Sequence, residues 1–140
     1  MLFRSDYTNR DTFTRPEEAA AFAERTGVAS LAVAFGSCHG MYRATPNLDL
    51  ARLQEIDRVT DTPLVLHGGS GIPADQLEKA FTMGINKFNV GTEFFLLNAR
   101  LTHEYHTEKY ESKPFADLAY IRKGLTDYIA TKKGLGYSVR

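Results

Sequence analysis

Leu64-Val65-Leu66-His67-Gly68-Gly69-Ser70-Gly71 is an apolar triplet that ends in a histidine and a glycine-rich turn. The triplet has no polar alternation, so it reads as a short strand buried on both faces, the kind that parallel sheets use. His67 then falls where the strand runs out. Gly68, Gly69 and Gly71 let the backbone take left-handed conformations and approach a ligand, while Ser70 adds a hydroxyl donor. In a strand-helix repeat, such a strand end is where sites are built.

Outward from this stretch the chain alternates helix and strand. On the N-terminal side, residues 1–14 are polar and turn-rich without a period, and are expected to be irregular. Thr14 and Glu17 have capping-box spacing, Pro16 suits a first helical turn, Ala19, Phe22 and Ala23 form an apolar stripe, and Gly27 is a stop. Residues 31–35 read as a continuous apolar strand, followed by the loop Gly36-Ser37-Cys38-His39-Gly40-Met41-Tyr42. A helix over about residues 47–59 places Leu50, Leu53 and Ile56 on one face. Asp61-Thr62-Pro63 turns the chain into the central strand, with Pro63 tolerable at its start.

On the C-terminal side, Pro73 opens a helix with Leu77, Ala80 and Phe81 on one face and Gly84 at its C-terminal stop. Residues 85–90 form the third strand, closed by Gly91-Thr92. A long helix runs from Glu93 toward Tyr110, and a break at Ser112-Lys113-Pro114 follows. The last helix, over 114–132, carries Leu118, Ile121, Leu125, Tyr128 and Ile129 at helical spacing and ends before Gly134 and Gly136.

This order implies an α/β fold with right-handed crossovers and about three parallel strands. All three strand ends carry polar or glycine chemistry: Ser37-Cys38-His39-Gly40, His67-Gly68-Gly69-Ser70 and Asn89-Val90-Gly91-Thr92. A parallel sheet sets these ends side by side on one rim. His39 and His67 are thus a candidate pair of zinc ligands, against the alternative that they cap backbone groups or pack in the rim. The Gly68 to Gly71 run before a helix start, beside Asn89 and Thr92, suits a phosphate cradle, against the alternative of a plain turn.

Composition narrows the classes. The chain has 140 residues, 43% of them apolar, enough for one core. Lys plus Arg and Asp plus Glu number 17 each, so charge offers no reason to expect nucleic acid or an anionic membrane surface. One cysteine excludes an internal disulfide framework and suits a reducing compartment. No run approaches a membrane span, and Met1-Leu2-Phe3-Arg4-Ser5-Asp6 lacks a signal-peptide core, so a soluble, cytoplasmic protein is expected.

Several segments together carry a family resemblance: residues 26–34, Cys38-His39-Gly40-Met41-Tyr42, residues 64–71 and Lys87-Phe88-Asn89-Val90-Gly91-Thr92-Glu93. Beyond the first dozen residues, the chain resembles the C-terminal half of the class II, zinc-dependent ketose-bisphosphate aldolases, which include the fructose- and tagatose-bisphosphate enzymes. The resemblance implies the C-terminal part of a TIM (β/α)8 barrel and reversible cleavage of a ketose 1,6-bisphosphate to dihydroxyacetone phosphate and glyceraldehyde 3-phosphate. It implies that His39 and His67 match two zinc-ligand histidines. Gly40, Gly68, Gly69 and Ser70 match positions that bind dihydroxyacetone phosphate, as does the stretch Asn89, Val90, Gly91, Thr92. Within it, Asn89 faces the reacting carbons and Thr92 the phosphate. The resemblance also brings a monovalent cation near the phosphate, a homo-oligomer, and the N-terminal half of the barrel as partner.

The chain departs from the family pattern. The family's first zinc histidine follows a catalytic aspartate, and no Asp-His pair occurs in these 140 residues. With only the last three of eight strands, one sheet edge would be open, and this chain alone is expected to be inactive, with no catalytic residue of its own. Cys38 stands where alanine is frequent, and Gly91 where aspartate or alanine is. Adjacent residues rarely bind one ion, which argues against Cys38 as a ligand beside His39. His103 and His106 lie among charged residues and read as a solvated helix face. Tyr105, Tyr110, Phe94 and Phe95 read as packing or subunit contacts. Lys87 precedes the rim, which argues against a Schiff-base mechanism. The other classes in play are a non-catalytic assembly subunit and a dinucleotide-binding module. The module is opposed by the lack of Gly-x-Gly-x-x-Gly spacing.

Overall fold

The computed structural model describes residues 7–137, the side chains of 136 and 137 aside. The first six residues of the irregular segment and the last three of the chain lie outside that range. The segment is not wholly irregular: Asn9 accepts the Asp11 N–H at 3.0 Å and caps a single 3-10 turn at Arg10–Thr12. The helices and strands that follow are α1 (Pro16–Thr26), β1 (Leu31–Ala32), α2 (Leu50–Asp57), β2 (Leu64–Leu66), α3 (Ala74–Thr82), β3 (Ile85–Phe88), α4 (Thr92–Glu108) and α5 (Ala116–Tyr137).

The strands form one parallel sheet in the order β1-β2-β3, so the apolar triplet is its centre. Leu64, Val65 and Leu66 are all buried, as the unbroken apolar pattern requires. Successive strand residues point to opposite faces. Leu64 and Leu66 join Phe35, Leu53, Ile56, Leu77 and Ile85 in the core under the helices. Across the other face, Ala32, Val65 and Lys87 stand in register, and only Val65 of the three is buried. β1 is accordingly not buried on both faces as its apolar run suggests: Val33 and Phe35 are buried, Ala32 and Ala34 exposed.

The expected strands over 31–35 and 85–90 shorten to Leu31–Ala32 and Ile85–Phe88, but backbone pairing extends past both. Val33 N–H donates to the Val65 carbonyl at 3.3 Å, Asn89 N–H to Leu66 at 2.9 Å, and Gly69 N–H to Asn89 at 2.9 Å. These bonds carry the register out to the rim. A bulge between Leu64 and Val65 is filled by Asn86, whose Oδ1 accepts the Leu64 N–H at 2.8 Å.

Thr14 does not cap α1. Its Oγ1 accepts the Ala34 N–H at 2.8 Å and its own N–H donates to the Ala34 carbonyl, so the residue lines up beside the chain after β1, and Arg15 takes the cap position without a side-chain bond. The expected helix over 47–59 begins only at Leu50, because Asp49 caps it through the Arg52 N–H at 3.1 Å. Gly27, at φ +61°, ends α1 in the left-handed region as expected. Gly134 and Gly136 do not end the last helix, which runs on to Tyr137; it starts at Ala116, after Phe115 at φ +63°.

Helices α4 and α5 pack as a pair, with Leu101 buried beneath Gly124 and Tyr105 in tilted ring contact with Tyr120. Their outer side keeps an open apolar groove of about 880 Å³ that includes Phe94, Phe115, Leu118, Ile121, Leu125 and Ile129. Leu118 and Ile129 are therefore exposed, and so, separately, is Phe22 on α1, although the helical spacing puts all three on apolar stripes expected to be buried. Among the described residues no helix is long and apolar enough to cross a membrane.

Candidate functional site

The three strand ends do converge. The loop after β1 carries His39, the loop after β2 begins at His67, and the two imidazoles stand with ring centres 5.2 Å apart and planes at 77°. An ion about 2.0–2.1 Å from a ring nitrogen lies about 3.2 Å from that ring's centre, so two rings at the tetrahedral angle would be about 5.2 Å apart. The observed spacing meets that requirement, and it also suits an edge-to-face contact between two rings. Both residues are solvent-exposed, which leaves room for a ligand over them.

Burial, the facing His39 and Lys87 together lower the His67 imidazole below its ordinary 6.5 and favour the neutral form that ligates metals. Asn89, at the end of β3, brings its Nδ2 to 3.3 Å from His67 Nδ1, a contact whose direction depends on the imidazole tautomer. This donor set supplies two ligands of a catalytic zinc, which usually has three from protein. Among the described residues no group of three His, Cys, Asp or Glu side chains could hold a metal. A third ligand would have to come from outside them. His103 and His106 are exposed on α4, as expected of a solvated face.

The glycine turn is built as a close contact between backbones. Gly68 has φ +71°, and a Cβ there would lie 2.1 Å from the Cys38 carbonyl oxygen. A Cβ on Gly69 would meet the Phe88 ring at 2.8 Å. Only glycine lets the β2 loop slide under the β1 loop at the position between the two histidines. Cys38 itself is buried.

The remaining expected residues fall at the start of α4. Gly91 is its N-cap and Thr92 its first residue, so backbone N–H groups and the positive end of the helix dipole lie beside the glycine turn. Ser70, 5% exposed, accepts the Glu93 N–H on its Oγ at 3.1 Å; donation to a ligand has to use the hydroxyl proton. Gly40, Ser70 and Gly71 line one side of an open groove of about 860 Å³, whose other side comes from α4 and α5. Val90 is half-buried next to Asn89.

Four further side chains, none of them among the expected site residues, organise this rim. Tyr42 bridges the two histidine loops: its hydroxyl accepts the Cys38 N–H at 3.0 Å and donates to the Gly68 carbonyl at 2.9 Å. Burial pushes the Tyr42 phenol up to about 12. Glu93 accepts from the Gly71 N–H at 2.8 Å, from Tyr128 at 2.6 Å and from Lys132 at 2.7 Å, tying α5 to the glycine turn. The only trace of this in the sequence is that Tyr128 and Lys132 are four apart on one helix face.

Burial raises the Glu93 carboxyl, but the bonds from Lys132, Tyr128 and Gly71 outweigh it and hold the group below 4.5. The fold therefore binds fewer protons here than the unfolded chain does. Glu93's contribution is complete above pH 4.5 and is lost as pH falls through the lower folded value. Glu93→Gln is expected to lower the melting temperature by several degrees at pH 7, through loss of charge-assisted bonds worth on the order of 1–2 kcal/mol. The gap from wild type should close as pH falls below that window, which thermal melts followed by circular dichroism at a series of pH values would check.

The chain matches the family model described as fructose-bisphosphate aldolase class-II over residues 4–135. It is similar to the YdjI aldolase from Escherichia coli K12, at 33% identity and a TM-score of 0.80, with 88% of this chain and 45% of that one covered. A second likeness, to fructose-bisphosphate aldolase (Fba) from Campylobacter jejuni, has 23% identity, a TM-score of 0.61, and 91% and 45% coverage; it bears on the fold alone. The chain thus spans about 45% of the length of these two structures, and its three parallel strands with their helices make up part of the barrel. With residues 4–135 under one family model, the chain belongs to the class-II fructose-bisphosphate aldolase family.

Proposed function

We propose that this chain is the C-terminal sector of a zinc-dependent aldolase that reversibly cleaves a ketose 1,6-bisphosphate, of the fructose or tagatose type, to dihydroxyacetone phosphate and glyceraldehyde 3-phosphate. The observation that carries this reading is the pair of imidazoles on adjacent strand ends, 5.2 Å apart between ring centres, beside a glycine turn. His39 and His67 would hold the zinc. When bound, zinc supplies Lewis-acid stabilisation of the charge that develops on the ketone oxygen.

The chain's own groups bind and orient. The backbone of Gly40, Gly68 and Ser70, with the N-terminus of α4 at Gly91 and Thr92, takes the phosphate; Gly69, whose N–H is bonded to the Asn89 carbonyl, lines the cradle without donating, and a monovalent cation near that phosphate fits the same reading. Phosphate binding remote from the reacting bond fixes the substrate's position. Asn89, beside His67 and followed by Val90, faces the reacting carbons. The general acid and base and the third zinc ligand belong to the N-terminal half of the barrel, the partner of this sector. The open apolar groove on the outer side of α4 and α5 supports a homo-oligomer, the single cysteine supports a cytoplasmic protein, and the even charge balance supports a small sugar phosphate as ligand in preference to nucleic acid or membrane. Family membership argues against a dinucleotide-binding module.

The test is an aldol-cleavage assay with zinc and fructose or tagatose bisphosphate. The chain alone is expected to show no turnover. Mixed with a separately expressed N-terminal half-barrel of a family member, it is expected to turn over substrate in a way that a chelator abolishes. Turnover by the chain alone at an ordinary enzyme rate would refute the inactivity, and no turnover by a folded, zinc-loaded mixture would refute the activity.

A further inference from the structure

We infer that Tyr42 is a positioning residue that sets the separation of the two histidine side chains. The inference rests on the zinc reading for its purpose, but its geometry stands without a metal. The hydroxyl of Tyr42 takes the N–H of Cys38, the residue before His39, at 3.0 Å, and gives its proton to the carbonyl of Gly68, the residue after His67, at 2.9 Å. One oxygen thus bonds both histidine loops one residue from each imidazole.

The parallel ladder ends at Ala32 and Val65, and Val33 N–H donates to the Val65 carbonyl at 3.3 Å. Beyond it, the β1 loop crosses over Gly68 with a contact that only glycine permits, and the Tyr42 hydroxyl sits at that crossing. The ring is held from two sides: a Cβ on Gly71 would come within 3.1 Å of its Cδ2, and the Tyr7 ring meets it edge-on at 5.1 Å between centres. A phenol that stays protonated at physiological pH can accept and donate at once, as the bridge requires. A phenylalanine would fill the same space and lose both bonds.

The test uses the full chain and three proteins: wild type, Tyr42→Phe and His39→Ala. Without metal, a nuclear Overhauser effect between the rings of His39 and His67 is expected in wild type and is expected to vanish in Tyr42→Phe while the far-ultraviolet circular dichroism stays native. With cobalt as a spectroscopic stand-in for zinc, Tyr42→Phe should bind about 10–100-fold more weakly, the loss typical when a ligand's supporting contact is removed, and its visible absorption band should change shape. A purely packing role for the ring would leave both readouts as in wild type, and that result overturns the inference. Should Tyr42→Phe fail to fold, amide exchange in wild type decides: the Cys38 N–H is expected to be protected, and free exchange overturns the bridge. If His39→Ala binds cobalt as wild type does, the zinc reading fails, while the ring-to-ring effect still decides the role of Tyr42.

Discussion

Gly68→Ala is expected to cost about 2–5 kcal/mol of stability, the sum of roughly 1–2 kcal/mol for a left-handed backbone at a residue with a Cβ and about 1–3 kcal/mol for overpacking. The new methyl would lie 2.1 Å from the Cys38 carbonyl oxygen and 2.6 Å from its carbon, and both are backbone atoms that cannot swing away. Gly68 also sits at φ +71°, so relief by local rotation is closed. The β1 loop would have to lift, breaking the Tyr42 bridge and separating His39 from His67. Gly91→Ala is the matched control: its φ is −135° and its nearest new contact is the Phe95 ring at 3.9 Å. That change should stay within about 0.5 kcal/mol. Urea unfolding of the two variants measures the difference. Equal midpoints would mean that the loops do not cross as closely as the structure has them.

The second large effect concerns zinc. His39→Ala or His67→Ala removes one of two protein ligands, and each is expected to weaken zinc binding by more than the roughly 10–100-fold that loss of a ligand's hydrogen-bonding partner costs. The double variant should be no weaker than either single one by a comparable factor, because one remaining imidazole holds the ion little better than none. Both side chains are exposed, so neither substitution leaves a cavity, and the melting temperature without metal should hardly move. Competition with a chromophoric chelator reads the affinity. Unchanged affinity in either variant would show that the imidazoles pack against each other and do not share an ion.

Much of the architecture can be read from residues 64–71 and their surroundings, because an unbroken apolar triplet has one comfortable place, the middle of a parallel sheet. The positions of His39, His67 and Asn89 at strand ends follow from that, since side chains at the ends of parallel strands share one rim. The limits of the reading have physical causes. Thr14 looks like a helix cap because local spacing cannot show that Ala34, twenty residues on, offers it a better pair of bonds. Leu118 and Ile129 fall on an apolar stripe, yet helical periodicity says which side of a helix is apolar and not what covers it. Asp49 caps α2 through the Arg52 N–H, so the helix starts at Leu50, the first residue of its apolar face, and the periodicity alone does not fix that boundary.

Within the site, the residues that touch through backbone contact were legible and those that act across the tertiary fold were not. Gly68 stands out because glycine after a buried strand is a recurrent device, whereas Tyr42 and Glu93 gain their roles from partners 26 and 35 residues away. No periodicity connects such pairs. Lys132 is similar: as part of a helix end it reads as a solvated charge, and only the packing of α5 against the start of α4 brings it to Glu93 at 2.7 Å.

The central claim is that one ion is shared by the imidazoles of His39 and His67 beside a phosphate held on the glycine turn. Diffraction at the zinc absorption edge, from crystals of the zinc-loaded chain with dihydroxyacetone phosphate, tests it most directly. The account predicts a single anomalous peak about 2.0–2.1 Å from one nitrogen of each imidazole, with the phosphate over Gly68, Gly69 and Ser70. A peak bonded to only one of these histidines, or zinc bound at His103 and His106 instead, would contradict it.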